Sequence, residues 1–335
     1  MSKPGDYPYV GAAWLLANCC DDNGDPFLNP IPPDLPAGDN RVRTTGILVS
    51  PNVVLTEGAQ YRNGRWVAVS FQNPLTNFTD FYDKDSNPNG TVYRGYVYHL
   101  PGLDREDPHT FKQYDLAVII LDQPVKGIDQ FAPLAPVGAL GAEQQAKGAP
   151  LTVLSYGPNN NHPATWDFVR RASAWTATKI QETSIHLQGQ KKSYFVCDGD
   201  QGAPAIDAAG DVTALLYIGP KFCHAHRAAD GIRVDTPEAR AFLCDVATKP
   251  LADVDNANGG LDGVDSPVVV YPKIDSPDVL AQFCDSPAAA RATAAGNADK
   301  TSAGRSHGHP SRAGHRRAGA RLGAARTGQR IGPGR

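Results

Sequence analysis

Short apolar runs recur along the first 235 residues, at 9–16, 45–49, 53–56, 66–71, 92–98, 116–121, 151–155, 185–187 and 212–218. Some alternate with polar positions and others are apolar throughout. Their shortness, and the Gly, Pro and Asn between them, predict strands joined by turns rather than helices. Nine such runs predict an all-β body, an antiparallel barrel or a sandwich, and the pattern alone leaves that choice open. One good helix follows them. It starts at Thr236-Pro237-Glu238, a capping hydroxyl followed by proline at the first helical position, and is expected to end near residue 246.

Polar connections at 21–40, 73–89 and 158–162 read as surface insertions. The periodicity stops near residue 250. From 286 onward the chain is Ala, Gly, Arg, Ser and His with almost no large apolar side chain, so it has no core to bury against chain entropy and is expected to be disordered. The organisation predicted is a body at 1–248, an irregular extension at 249–285 and a basic tail at 286–335.

With 335 residues, 41% of them hydrophobic, the chain can fill an ordinary core. Its net charge of −3 conceals an asymmetry: residues 286–335 carry nine Arg and Lys300 against Asp299, a net of +9, which leaves −12 on the rest. So acidic a body argues against a nucleic-acid-binding core, while the tail suits weak binding of polyanions. No run of 18 apolar residues exists, so no membrane span is expected. The early apolar run at 10–17 follows Asp6 and prolines rather than a basic cluster, unlike a secretory leader. Cysteines at 19, 20, 197, 223, 244 and 284 fit neither a zinc spacing nor a dense disulfide framework.

Three segments then carry chemistry. Thr44-Thr45-Gly46-Ile47-Leu48-Val49-Ser50 leads into Leu55-Thr56-Glu57-Gly58-Ala59-Gln60; Tyr114-Asp115-Leu116-Ala117-Val118 follows; and Cys197-Asp198-Gly199-Asp200-Gln201-Gly202-Ala203-Pro204 comes third. In this order they resemble the signature blocks of trypsin-like (chymotrypsin-fold) serine proteases, Leu-Thr-Ala-Gly/Ala-His-Cys, Asp-Leu-Ala and Cys-x-Gly-Asp-Ser-Gly-Gly-Pro. The ending from Asp235 to Leu243 is similar to that of actinobacterial trypsin homologues. The resemblance covers roughly residues 7–246. It implies two packed antiparallel six-stranded β-barrels, a C-terminal helix, a monomer, secretion and no cofactor. Secretion and the unlike N-terminus disagree, which leaves the compartment open.

What the resemblance implies for the site is loss. The histidine position holds Ala59 and the nucleophile position Gln201, so only Asp115 of the triad is retained. Acyl transfer needs a serine activated by a neighbouring base that an acid orients, and neither Ala nor Gln can serve. The oxyanion-hole amides fall on Gly199 and Gln201, and the Gln201 amide is long enough to fill the space of a scissile carbonyl. Asp115 is expected to accept backbone amides near Ala59, because a buried carboxylate needs donors. Asp200 falls on the acid that pairs with a processed N-terminus in the family, and no such start is present. The specificity pocket falls on Phe195, Tyr217, Ile218 and Gly219, with Phe195 in place of the acid of trypsin proper. A Cys197–Cys223 disulfide is implied beside it, whereas the bridge partners flanking the histidine have both gone, to Thr44 and Gln60.

The reading is a non-catalytic protease homologue that binds a peptide or protein in the old cleft. A relocated site using Ser193 or Ser155 with His99, His109 or His224 is the rival, though no spacing selects one. Asp253-Val254-Asp255 through Asp262 lacks the bidentate Glu of a calcium loop, and His224 and His226 lack further metal ligands. No metal site is expected. Asn77 and Asn89 match glycosylation sequons.

Overall fold

The computed structural model describes residues 7–15, 43–59, 66–75, 90–104, 107–143, 148–157, 169–189, 199–218, 228–249 and 277–284. Six strands form the first barrel: β1 Val10–Leu15, β2 Arg43–Ser50, β3 Val53–Thr56, β4 Trp66–Ser70, β5 Val92–His99 and β6 Ala117–Leu121. All pair antiparallel and close in the order β1-β2-β3-β6-β5-β4. The second barrel comprises β7 Pro150–Ser155, β8 Arg171–Ile180, β9 Ser184–Gly189, β10 Pro204–Ile206, β11 Val212–Ile218 and β12 Ala228–Arg233. It closes as β10-β11-β12-β9-β8-β7, the order of the first barrel repeated six strands later. The choice between barrel and sandwich is thus decided for two barrels.

Strands β3 and β6 are buried at every position, which is why their sequences are apolar runs without alternation. One face lines the barrel. Behind them passes the connection to the second barrel, held by Val125 N–H to Pro51 O and Ala132 N–H to Leu48 O at 2.7 and 2.9 Å. The same connection then joins β11, where Leu134 bridges Val212 in parallel. Tyr156, after β7, donates its hydroxyl to Gln72 O at 2.7 Å, and Arg170 donates to Val10 O at 2.8 Å. These buried polar groups tie the second barrel to the first. Tyr217, Leu215 and Tyr156 belong to the same buried apolar cluster as Leu55 and Leu116, so the core runs through the interface.

Four helices are present among the described residues, where the sequence pattern predicts one. Helix α1 spans Pro108–Tyr114, α2 Ala139–Glu143, α3 Pro237–Thr248 and α4 Pro277–Cys284. The expected helix is α3, capped by Thr236 Oγ1 accepting from Ala239 N–H at 3.2 Å. The extension read as irregular therefore contains α4, which packs on α3 with Phe283 fully buried. A Cys244–Cys284 disulfide joins the two helices. Arg240 of α3 donates to Gln282 O at 3.0 Å and also to Ala135 O, and Gln282 donates to Ala132 O at 3.1 Å. Helix α4 is thereby fastened to the connection between the barrels.

Candidate active site

The candidate site lies where the end of β3, the residue after α1 and the turn before β10 converge. Asp115 caps α1 and is completely buried. Its Oδ1 accepts the N–H groups of Gly58 and Ala59 at 2.7 and 2.6 Å. Burial raises its carboxyl to about 7, and the two amides together with a hydrogen bond from Glu57 pull the other way. A side chain on Gly58 would place its Cβ 2.6 Å from Leu103 Cδ2 and 3.4 Å from Leu116 O, so glycine lets this segment close over the acid. Ala59 is half-buried and brings no ionisable group to the site.

From the second barrel, the 199–203 turn packs against the first. Gly199 and Gly202 have φ of 98° and 76°, a region that favours glycine. A Cβ on Gly202 would lie 2.0 Å from Thr45 O and 2.4 Å from Thr56 Oγ1. Thr45 N–H donates to Gln201 O at 2.7 Å, and Thr56 Oγ1 donates to Thr45 O at 2.9 Å. The backbone at position 201 is therefore fixed by the first barrel. Its side chain turns back on the same turn: Gln201 Oε1 accepts the Gly199 N–H at 2.6 Å. The Gly199 amide is thus already satisfied from within the chain.

Asp200 is buried, and its Oδ1 accepts Gly157 N–H at 2.7 Å. The backbone of the second barrel thus supplies a donor to an acid whose partner the sequence leaves unnamed. Tyr217, near the end of β11, is buried, and its hydroxyl is pushed upward by burial first, then by the charges of Asp230 and Asp115. Ile218 ends β11 opposite Asp230. On the rim, Thr183 of the β8–β9 turn donates to Lys112 O of α1 at 2.8 Å, a bridge between the two barrels' outer loops.

Asp115, Ala59, Gly199, Gln201 and Tyr217 are thus placed by the structure, whereas Phe195, Cys197, Gly219 and Cys223 lie outside the described residues. So do Ser193, His224, His226, the 253–262 segment, Asn77 and Asn89. Of the rival nucleophile and base candidates, Ser155 pairs with Arg171 in the second barrel, His99 is buried opposite Ala117 in the first, and His109 is exposed on α1. Glu57 is the site residue that sequence reasoning passed over. Its signal was present, since Leu55-Thr56-Glu57 sets an acid where the resembled block has alanine. Among the described residues, no group of three His, Cys, Asp or Glu side chains could hold a metal ion, and no helix is long and apolar enough to cross a membrane.

Two closed six-stranded antiparallel barrels of identical strand order, with a helix after the last strand, are the trypsin-like fold, and this chain has it. No protein-family model matches the sequence, and no curated protein does. Among solved structures the chain is similar to human heparin binding protein, at 14% identity over 70% of this chain and 89% of that one, with a TM-score of 0.45. A mutant of the same human protein aligns at 14% identity over 74% and 95% of the two chains, with a TM-score of 0.48.

Proposed function

We propose that this trypsin-fold protein does not hydrolyse peptide bonds and instead binds a peptide or protein through the former substrate cleft and its bordering loops. The observation that carries the reading is Gln201 Oε1 seated on the Gly199 N–H at 2.6 Å. A substrate carbonyl would have to displace that oxygen and would then meet no nucleophile at 201 and no base at 59. Binding and an oxyanion hole alone leave about 10³–10⁴-fold over water in enzymes of this chemistry stripped of their triad. Here one of the two amides expected to form that hole is occupied as well.

A fluorophosphonate probe, together with a panel of peptide and ester substrates, tests the first half. No labelling that heat denaturation abolishes is expected, and such labelling overturns the proposal. Turnover that survives Gln201→Ala and disappears with Ser193→Ala or Ser155→Ala favours a relocated hydrolase instead. For the second half, peptides selected from a random library on the wild-type protein are expected to lose binding to Ala59→Trp, which fills the cleft. The excess of nine positive charges in residues 286–335 supports a second, weaker mode, in which that segment binds polyanions.

A further inference from the structure

Asp115 has two carboxylate oxygens with different surroundings. Oδ1 takes the Gly58 and Ala59 amides. Oδ2 is buried and, among the described residues, meets no amide, hydroxyl or cationic donor. The remaining hydrogen bond to this carboxyl comes from Glu57, which is itself completely buried. Two carboxylates cannot hydrogen-bond each other, because neither has a proton to give; a carboxylic acid and a carboxylate can. We propose that Glu57 and Asp115 share a single proton, that Glu57 has taken the place of an imidazole as Asp115's partner, and that this proton holds the 57–59 segment against the cleft.

The amides on Oδ1 favour charge on Asp115 over charge on Glu57, so the last proton to leave the pair is the one Glu57 donates to Oδ2. Like carboxyls this close titrate as a unit, the second ionisation being pushed well above the first. The described surroundings place no cation on the pair. On β11 the facing titratable group is Tyr217, whose hydroxyl is held protonated and feels the Asp115 charge. On the 199–203 turn, Asp200 is turned to the Gly157 amide and Gln201 to that of Gly199. Leu103 covers Gly58, and His99 at the end of β5 is buried opposite Ala117. Among the described residues, no lysine or arginine contributes to the Asp115 environment.

The sign follows from linkage. Unfolded, both carboxyls lose their protons near pH 4, as ordinary Asp and Glu do. Folded, burial raises the Asp115 carboxyl to about 7, so the pair still holds at least one proton up to there. Between those values the folded state binds more protons, so stability is highest at the acid end and falls as pH rises through the folded pKa. Above it, two buried charges repel across the 57–59 segment. This holds whether or not the cleft binds a peptide.

Urea unfolding of the full chain and of Glu57→Gln, from about pH 4.5 to about pH 8.5, tests the proposal. The side-chain amide introduced by that substitution would donate an N–H to Oδ2 at every pH, so the variant lacks the dependence. Relative to Glu57→Gln, the wild-type folding equilibrium constant is expected to fall at least about tenfold across that range, tenfold being one unit of pKa displacement. Parallel curves overturn the proposal. Should Glu57→Gln fail to fold, carboxyl ¹³C shifts of the wild-type protein decide. One of the two side chains still protonated at about pH 5.5 supports the pair, and both ionised there overturns it.

Discussion

Gln201 brings no nucleophilic oxygen to the turn that holds it, and it places its own side-chain carbonyl on the Gly199 amide. On the proposed reading, building a triad here takes more than a histidine at 59 and a serine at 201. An imidazole at position 59 is oriented by donating its Nδ1–H to the acid, and the Asp115 oxygen left for that bond is the one assigned to Glu57. Ala59→His with Gln201→Ser is therefore expected to remain unlabelled by a fluorophosphonate probe. Adding Glu57→Ala to that pair is expected to produce labelling, and equal behaviour of the double and triple variants would show that Glu57 is irrelevant. Gly202→Ala belongs to the same scale. Its methyl group would meet Thr45 O at 2.0 Å in a backbone with φ of 76°, so a loss of at least about 2 kcal/mol in urea unfolding is expected. That positions 59 and 201 carry neither an imidazole nor a hydroxyl was legible residue by residue. The destination of the Gln201 side chain was legible only as a reach, because its length says how far it extends and the left-handed turn at Gly199 says where.

Among the elements, legibility follows how much of a strand is buried. Strands β3 and β6, apolar at nearly every position, declare themselves in the sequence. Strand β8 does not: of its ten residues only Trp175 and Ala177 are buried, and the half-buried Arg171, Ser173 and Thr176 with the exposed Thr178 and Lys179 blur the alternation. Strand β10 has three residues and opens on Pro204, too short for a period to register. Helix α4 escaped for another reason. Its eight residues would be marginal alone and are stabilised by what they dock on, with Val279 and Phe283 buried and Arg240 bonded to Gln282 O. The Cys244–Cys284 bridge, whose pairing the spacing left open, closes a loop across a sequence separation of 40. On chain-entropy grounds that closure contributes about 4 kcal/mol. Replacing both cysteines by alanine is expected to lower the stability measured by urea unfolding by an amount of that order, with reduction of the wild-type protein having the same effect. If α4 were a passive appendage, neither treatment would move the unfolding midpoint of the barrels.

On the scale of the whole molecule, the repeated strand order makes two similar barrels, and they meet in a shared core. Asp115 and Ala59 belong to one, Gln201 and Tyr217 to the other. No single run of sequence could disclose that meeting; the order of three short blocks did, since blocks distant in the chain matter together only when a known topology brings them to one place. Charge is distributed at this scale too. The first 285 residues carry −12 and the last fifty +9, so a polyanion is repelled by one part of the chain and attracted by the other. Removing residues 286–335 is expected to leave the unfolding curve of the barrels unchanged while abolishing retention on heparin or duplex DNA at low salt. For the full chain, log affinity for DNA should fall linearly with log salt, with a slope of about −0.9 for each phosphate neutralised. With ten cations in the segment, a slope steeper than about −9 would require basic groups from the body. Undiminished binding by the truncated chain would place the polyanion site on the barrels, against their net charge, and would move the search for it to a locally basic face of the fold.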